Sequence, residues 1–220
     1  MERSEGVGDR VRPGTPRHRD EWGIEFSRIV AFSDGVFAIA ITLLVLQINI
    51  PAHLPPGETL FDEILDQHRN FIAYGISFAV LGKLWLAHHR FFASVERFDP
   101  VLMGLNLVYL AWIVLVPFTS EVLGDYGDDS TGVILYAAIL AAVSITFQIQ
   151  IVYAYRKEMI RPELREYERE YAGAANFAIA AVFLISIPVA LVSPLAATVM
   201  WLLVFVAGGR AVRWAARARA

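Results

Sequence analysis

The stretch "RIVAFSDGVFAIAITLLVLQI" (28–48) decides the fold of this chain. About 20 apolar residues at about 1.5 Å of rise each span a hydrocarbon core of about 30 Å. Yet Asp34 lies inside the run, between Ser33 and Gly35. A carboxylate at the centre of a spanning helix costs roughly 2.5–3.5 kcal/mol on insertion scales. Such a residue is retained where it faces protein or a cavity. The stretch therefore predicts a membrane helix with one face fastened to neighbours.

The rest of the chain agrees with that solvent. Of 220 residues, 56% are hydrophobic and only 19% charged, an apolar excess for a soluble domain. Six apolar stretches are long enough to cross a bilayer, at about 27–48, 70–90, 101–123, 132–155, 172–192 and 195–213. All six are expected to be helical, because backbone facing lipid has to satisfy its own hydrogen bonds. The fold class is thus an all-α integral membrane protein with a six-helix transmembrane domain over 26–213. Pro188 is placed to kink the fifth helix, and Ser193-Pro194 to end it and start the sixth. Residues 1–25 are polar and basic, with Pro and Gly, and are expected to be a disordered tail. They do not resemble a cleavable signal peptide, since the apolar run is too long and lacks a small-residue cleavage site. Residues 214–220 form a short basic C-terminus.

Charge sorts by side. Seventeen of the nineteen Lys and Arg fall in the N-terminal tail, in the second and fourth connections, after the last span, or at the span ends that border these segments. The opposite side holds Arg69 alone among basic residues, with Glu58, Asp62, Glu63, Asp66, Glu121, Asp125, Asp128 and Asp129. The positive-inside rule then places both termini in the cytoplasm, and an even number of spans agrees. The preference for Arg over Lys suggests a GC-rich bacterial genome, and hence a multi-pass protein of the bacterial plasma membrane.

Several chemistries are disfavoured. There is no cysteine, so disulfides, thiolate metal sites and a Cys nucleophile are excluded. The net charge of −3 shows no nucleic-acid footprint. His88 and His89 are adjacent, so on a helix they diverge by about 100° and do not readily share a metal. The GDYGDDSTG loop (124–132) lacks the spacing of a calcium loop. No nucleophile–base pair and no paired catalytic carboxylates occur within the spans. Neither an enzyme nor a metal or cofactor site is expected.

On a helical wheel with Asp34 at 0°, Ile39 falls at about 140°, Leu43 at about 180° and Leu46 at about 120°. These make one branched apolar stripe, while Thr42 stands at about 80°. The carboxylate and the stripe are separate devices on separate faces. Lys83, His88, His89, Arg90 and Arg28 are each candidate partners for Asp34, and position alone does not choose among them.

Arg28, Phe32-Ser33-Asp34 and the following GVFAIAITLLVL closely resemble the first-helix signature of the transmembrane-protein-175 family of potassium channels. The resemblance extends to WLAHHRFF (85–92) and LNLVYLAWIVLVPFTSEVLG (105–124). It implies a potassium-selective channel in which a single six-helix unit assembles as a homotetramer, with the first helices lining a central pore. Carried onto this chain, the pore constriction falls on Ile39, Leu43 and Leu46, with Thr42 as a pore-adjacent hydroxyl. The resemblance also implies a structural network of Arg28, Ser33 and Asp34, with Trp85, His88 and Asn106 as further members. The long basic N-terminal tail departs from the family pattern.

No TVGYG filter is present. Selectivity is therefore expected from the apolar constriction, which makes an ion shed part of its water and closes by dewetting. Potassium releases water more readily than sodium and would be the permeant ion. The outer aspartates Asp125, Asp128 and Asp129 can raise the local cation concentration. The expected partners are further copies of the chain, lipid and potassium. The rival reading is a proton-coupled secondary transporter that uses Asp34.

Overall fold

A computed structural model describes residues 16–205 except 52, 55, 58 and 165–172. Its helices are α1 (Pro16–Leu43), α2 (Leu60–Asp66), α3 (His68–Ser94), α4 (Pro100–Tyr126), α5 (Ser130–Arg156), α6 (Gly173–Val192) and α7 (Pro194–Met200). A 3₁₀ turn, Leu44–Gln47, continues α1 and a second follows α5 at Pro162–Leu164. No strand occurs among the described residues, only an isolated antiparallel bridge between Val95 and Ile160.

Five segments are long and apolar enough to cross a membrane: Phe26–Gln47, His68–Ser94, Pro100–Tyr126, Ser130–Arg156 and Ala174–Val192. The sixth expected span is described only as an apolar helix over Pro194–Phe205. Its remainder, the C-terminus and the tail up to residue 15 lie outside the described residues. One boundary moves: α1 starts at Pro16, inside the stretch 1–25 expected to be a tail. Proline suits a first helical turn, where its missing N–H is an orphan in any case.

The helix starts are chemically specified. Asp99 accepts from the Leu102 N–H at 2.8 Å and precedes Pro100, and Asp129 accepts from the Thr131 N–H at 2.6 Å. Thr59 and Asp62 form a reciprocal capping box at α2. Ser193 accepts from the Ala196 N–H at 3.2 Å, and Pro194 opens α7 directly behind it. Two prolines lie within helices, Pro117 in α4 and Pro188 in α6. Each deprives a carbonyl one turn back of its partner. Near Pro188, Ser186 donates to the Phe183 carbonyl and accepts from the Trp201 indole of the segment after α7.

Packing proceeds in chain order. α1 lies against α3 and α4, α4 bridges α3 and α5, and α6 packs on α5 with α7 beside it. The core runs along this array through Leu84, Tyr109, Ile113, Tyr136, Phe147 and Phe183, all buried. At one end the Glu96 N–H donates to the Met159 carbonyl at 2.7 Å, and the Arg161 N–H to the Ser94 carbonyl at 3.0 Å. These bonds clip the α3–α4 connection to the segment after α5. At the other end Arg69 pairs with Asp128 at 2.5 Å, and Asn70 donates to Asp125 at 3.3 Å and to the Gln47 carbonyl at 3.4 Å. The two ends are thereby fixed independently of each other.

Candidate functional site

The first helix has two distinct long faces. Ser33, Phe37, Ala40, Leu44 and Gln47 are buried, spaced alternately by four and three residues. That spacing forms a seam down one side of a helix, as in helix–helix packing generally. It holds α1 against α3 and α4.

A directional hydrogen-bond chain crosses this seam. Ser33 donates to the Ile29 carbonyl at 3.0 Å, so its oxygen is left as an acceptor. Asn106 of α4 donates its amide N–H to that oxygen at 2.9 Å. The Asn106 carbonyl then accepts from His88 Nε2 of α3 at 2.9 Å, which fixes the proton on Nε2. The whole chain is buried. Asparagine suits the middle position because its side chain donates and accepts at once. The His88 ring is stacked on Tyr109, with centroids 5.4 Å apart and planes within 4°. Phe37, Phe92 and Phe147 surround it. Three helices are thus joined through one imidazole and one amide.

Asp34, one residue further round α1, has a different partner. Its Oδ1 accepts from the Trp85 indole N–H of α3 at 2.9 Å. Of the candidate partners, Lys83 instead lies over the Phe205 ring, 5.7 Å from its centroid. His89 is exposed and stacks obliquely beside Trp85. Arg28 and Arg90 are exposed and form no ion pair among the described residues. The structure therefore brings together Ser33, Asp34, Trp85, His88 and Asn106, and leaves Arg28 apart.

A second face of α1, roughly 110° round from the seam, is uncovered in the single chain. Ile39 is 61% exposed, Leu43 41% and Leu46 70%. Thr42 is exposed beside them and donates its proton to the Ile39 carbonyl at 2.9 Å, leaving its oxygen as an acceptor. One detail departs from a uniform α-helical wheel. Leu46 lies in the 3₁₀ turn, in which the Ile48 N–H bonds to the Val45 carbonyl at 3.1 Å. Residues three apart eclipse in that winding. Leu46 is thereby brought nearly in line with Leu43, instead of about 60° round from it.

Other polar contacts inside the spans escaped the sequence reading. Tyr136 of α5 and Ser120 of α4 both hydrogen-bond Ser77 of α3, at 2.9 and 2.7 Å. Asn176 of α6 donates to the Ser144 carbonyl at 2.8 Å and to Gln148 at 3.0 Å. Polar residues isolated in apolar runs were the available signal, because such side chains commonly join membrane helices.

Comparison with known proteins returns to the same segments. Residues 28–117 match the family described as endosomal/lysosomal potassium channel TMEM175. Potassium channel B446_29190 of Streptomyces collinus is 39% identical over 128 residues, which cover 56% of this chain and 62% of that protein. The endosomal/lysosomal proton channel TMEM175 of Gallus gallus is 30% identical over 158 residues, 66% of this chain and 32% of the relative. The match therefore spans less than two thirds of either protein's length. Among solved structures, the crystal structure of a lysosomal potassium-selective channel TMEM175 homolog from Chamaesiphon minutus superposes with a TM-score of 0.70. It is 30% identical, and the match covers 85% of this chain and 98% of that one.

Proposed function

The chain belongs to the TMEM175 family, and from that premise we propose that it is a potassium-selective cation channel. Four copies, each with six spans, surround a central pore lined by α1. Ile39, Leu43 and Leu46 form apolar rings that serve as filter and gate. Both termini lie in the cytoplasm of a bacterial cell, and the pore crosses its plasma membrane.

One observation carries this reading: α1 is fastened along its Ser33–Gln47 seam while its Ile39, Leu43 and Leu46 stripe is left uncovered. The buried bonds fix the rotation of α1, and in this reading the aligned stripe is thereby presented to the same stripe of other copies. Rings of such side chains offer an ion no ligand, so passage requires partial dehydration. The penalty is smaller for potassium than for sodium, and the expected result is modest selectivity with slow conduction. The Thr42 oxygen supplies one acceptor beside the rings. Ser33, Asp34, Trp85, His88 and Asn106 act as the brace that sets the rotation of α1.

A second reading draws on the name of the Gallus gallus relative, a proton channel. In it, protons pass by the same route, driven by their own gradient. The transporter form of this idea needs Asp34 to load and release a proton at the path. The Trp85 hydrogen bond and the placement of Asp34 away from the stripe weigh against that role.

The test is reconstitution of the purified protein in planar bilayers with asymmetric potassium, sodium and pH. A reversal potential that follows the potassium gradient is expected. One that follows only the pH gradient would replace potassium by protons as the permeant ion. Flux obligatorily tied to a counter-gradient of protons would replace the channel by a transporter.

A further inference from the structure

The α5–α6 pair carries an apolar groove of about 490 Å³ on its surface. Ile145 and Ile149 of α5 and Phe177 and Leu184 of α6 line it, and all four are exposed. Tyr153 and Arg156 close one end. The Asn176 bonds to Ser144 and Gln148 cross between the two helices alongside and hold their separation. The groove is therefore part of the resting packing.

Its length and its charge point to the same occupant. From Ile145 to Arg156 the helix rises about 16 Å, close to half of a hydrocarbon core of about 30 Å. The walls are apolar over the depth of one leaflet. At the mouth Tyr153 is already committed, donating its hydroxyl to Asp99 at 2.6 Å. Arg156 is exposed and has no ion pair among the described residues. A guanidinium at the polar end of a one-leaflet apolar groove complements a phosphate carried on an acyl chain.

We propose that the α5–α6 groove binds an anionic phospholipid, with one acyl chain along Ile145, Ile149, Phe177 and Leu184 and the phosphate on Arg156. The inference rests on the membrane reading above, and on its proposed orientation only in assigning the lipid to the cytoplasmic leaflet. A neutral lipid fits the walls equally well, so the guanidinium is what confers preference.

Native mass spectrometry of the assembled protein, released from micelles doped with phosphatidylglycerol or phosphatidylcholine, tests this. Wild type should retain phosphatidylglycerol in preference, and Arg156→Gln should lower that retention about fivefold, as expected for one basic residue at an anionic surface. Arg156→Lys should keep most of it, and Lys157→Gln, one residue beyond the helix, should change it little. Ala181 also lines the groove, so Ala181→Trp should fill it and displace both lipids, and it keeps the test open if Arg156→Gln fails to fold. Equal retention of the two lipids by wild type, or unchanged phosphatidylglycerol retention in Arg156→Gln, would overturn the proposal. A changed subunit count in Ala181→Trp would also overturn it, by assigning the groove to a contact between copies. Potassium flux is read separately in vesicles of each lipid, so loss of lipid preference and loss of channel activity are distinguishable.

Discussion

The indole N–H of Trp85 on α3 donates to the Asp34 carboxylate on α1 across 2.9 Å. A carboxylate within a span is thereby held against protein by a neutral donor, with no cation in contact among the described residues. Hydrogen bonds to charged groups contribute roughly 1.5–3 kcal/mol in water-soluble proteins, but interhelical bonds in membranes average about 0.6. A double-mutant cycle of Trp85→Phe and Asp34→Ala, each of which removes one partner, read by unfolding in detergent, should give a coupling of roughly 0.5–2 kcal/mol. A coupling indistinguishable from zero would remove this bond from the account of α1.

Asn106 is more exposed to substitution than either of its partners, because it serves both. Asn106→Leu leaves the Ser33 hydroxyl and His88 Nε2 without their partner in a buried site. The expected loss is roughly 1–3 kcal/mol, measurable as a fall in thermal midpoint. Asn106→Asp keeps the acceptor for His88 but, when ionised, loses the donor to Ser33. It should differ from Asn106→Leu, and identical midpoints would show that the hydrogen bonds contribute little beyond packing.

Ile39→Asn places an amide in the proposed constriction and offers a passing ion a ligand. The potassium-to-sodium permeability ratio should fall toward unity while conductance rises. An unchanged ratio in bilayer recordings would take Ile39 out of the filter.

A close approach of α3 and α4 depends on Gly124. A Cβ at that position would overlap the Asn70 side-chain oxygen. Asn70 meanwhile donates to Gln67, Asp125 and the Gln47 carbonyl. Gly124→Ala should therefore cost about 1–3 kcal/mol, in the range of overpacked sites, and should loosen the end of α1. Faster hydrogen exchange around Gln47 is the specific readout. Destabilisation without that change would confine the effect to α3 and α4.

At α2 the Thr59 hydroxyl and backbone N–H both donate to Asp62, at 2.7 and 2.9 Å. These bonds hold its carboxyl below the ordinary value of 3.8. A group with a depressed folded pKa contributes stability in full above its unfolded pKa. That contribution fades as pH falls through the lower, folded value. Protection of 60–66 should accordingly persist at neutral pH and be lost only in that acid window. Thr59→Ala should move the Asp62 titration, followed by NMR, upward toward 3.8. A titration that stays in place would exclude the capping box as its cause.

The long apolar runs made five spans legible, because a bilayer imposes a length that sequence displays directly. The separation of Asp34 from Ile39 and Leu43 was also legible, since it follows from helical geometry alone. The identity of the Asp34 partner was not. Lys83 and Trp85 sit two residues apart on α3, and only the rotation of α3 against α1 decides which one meets the carboxylate. The winding at Leu44–Gln47 was hidden for another reason: nothing in Leu-Val-Leu-Gln demands a 3₁₀ turn. The groove between α5 and α6 depends on how two helices diverge, and no single-sequence pattern records that.

The 3₁₀ turn at the end of α1 gives the helix a built-in screw. Rewinding those residues as α-helix would turn Leu46 by about 60° relative to Leu43 and shorten their axial separation by about 1.5 Å. Each N–H would exchange one carbonyl for the next and lose no bond in doing so. A few backbone acceptors, and no hinge, separate two angular settings of the outermost leucine.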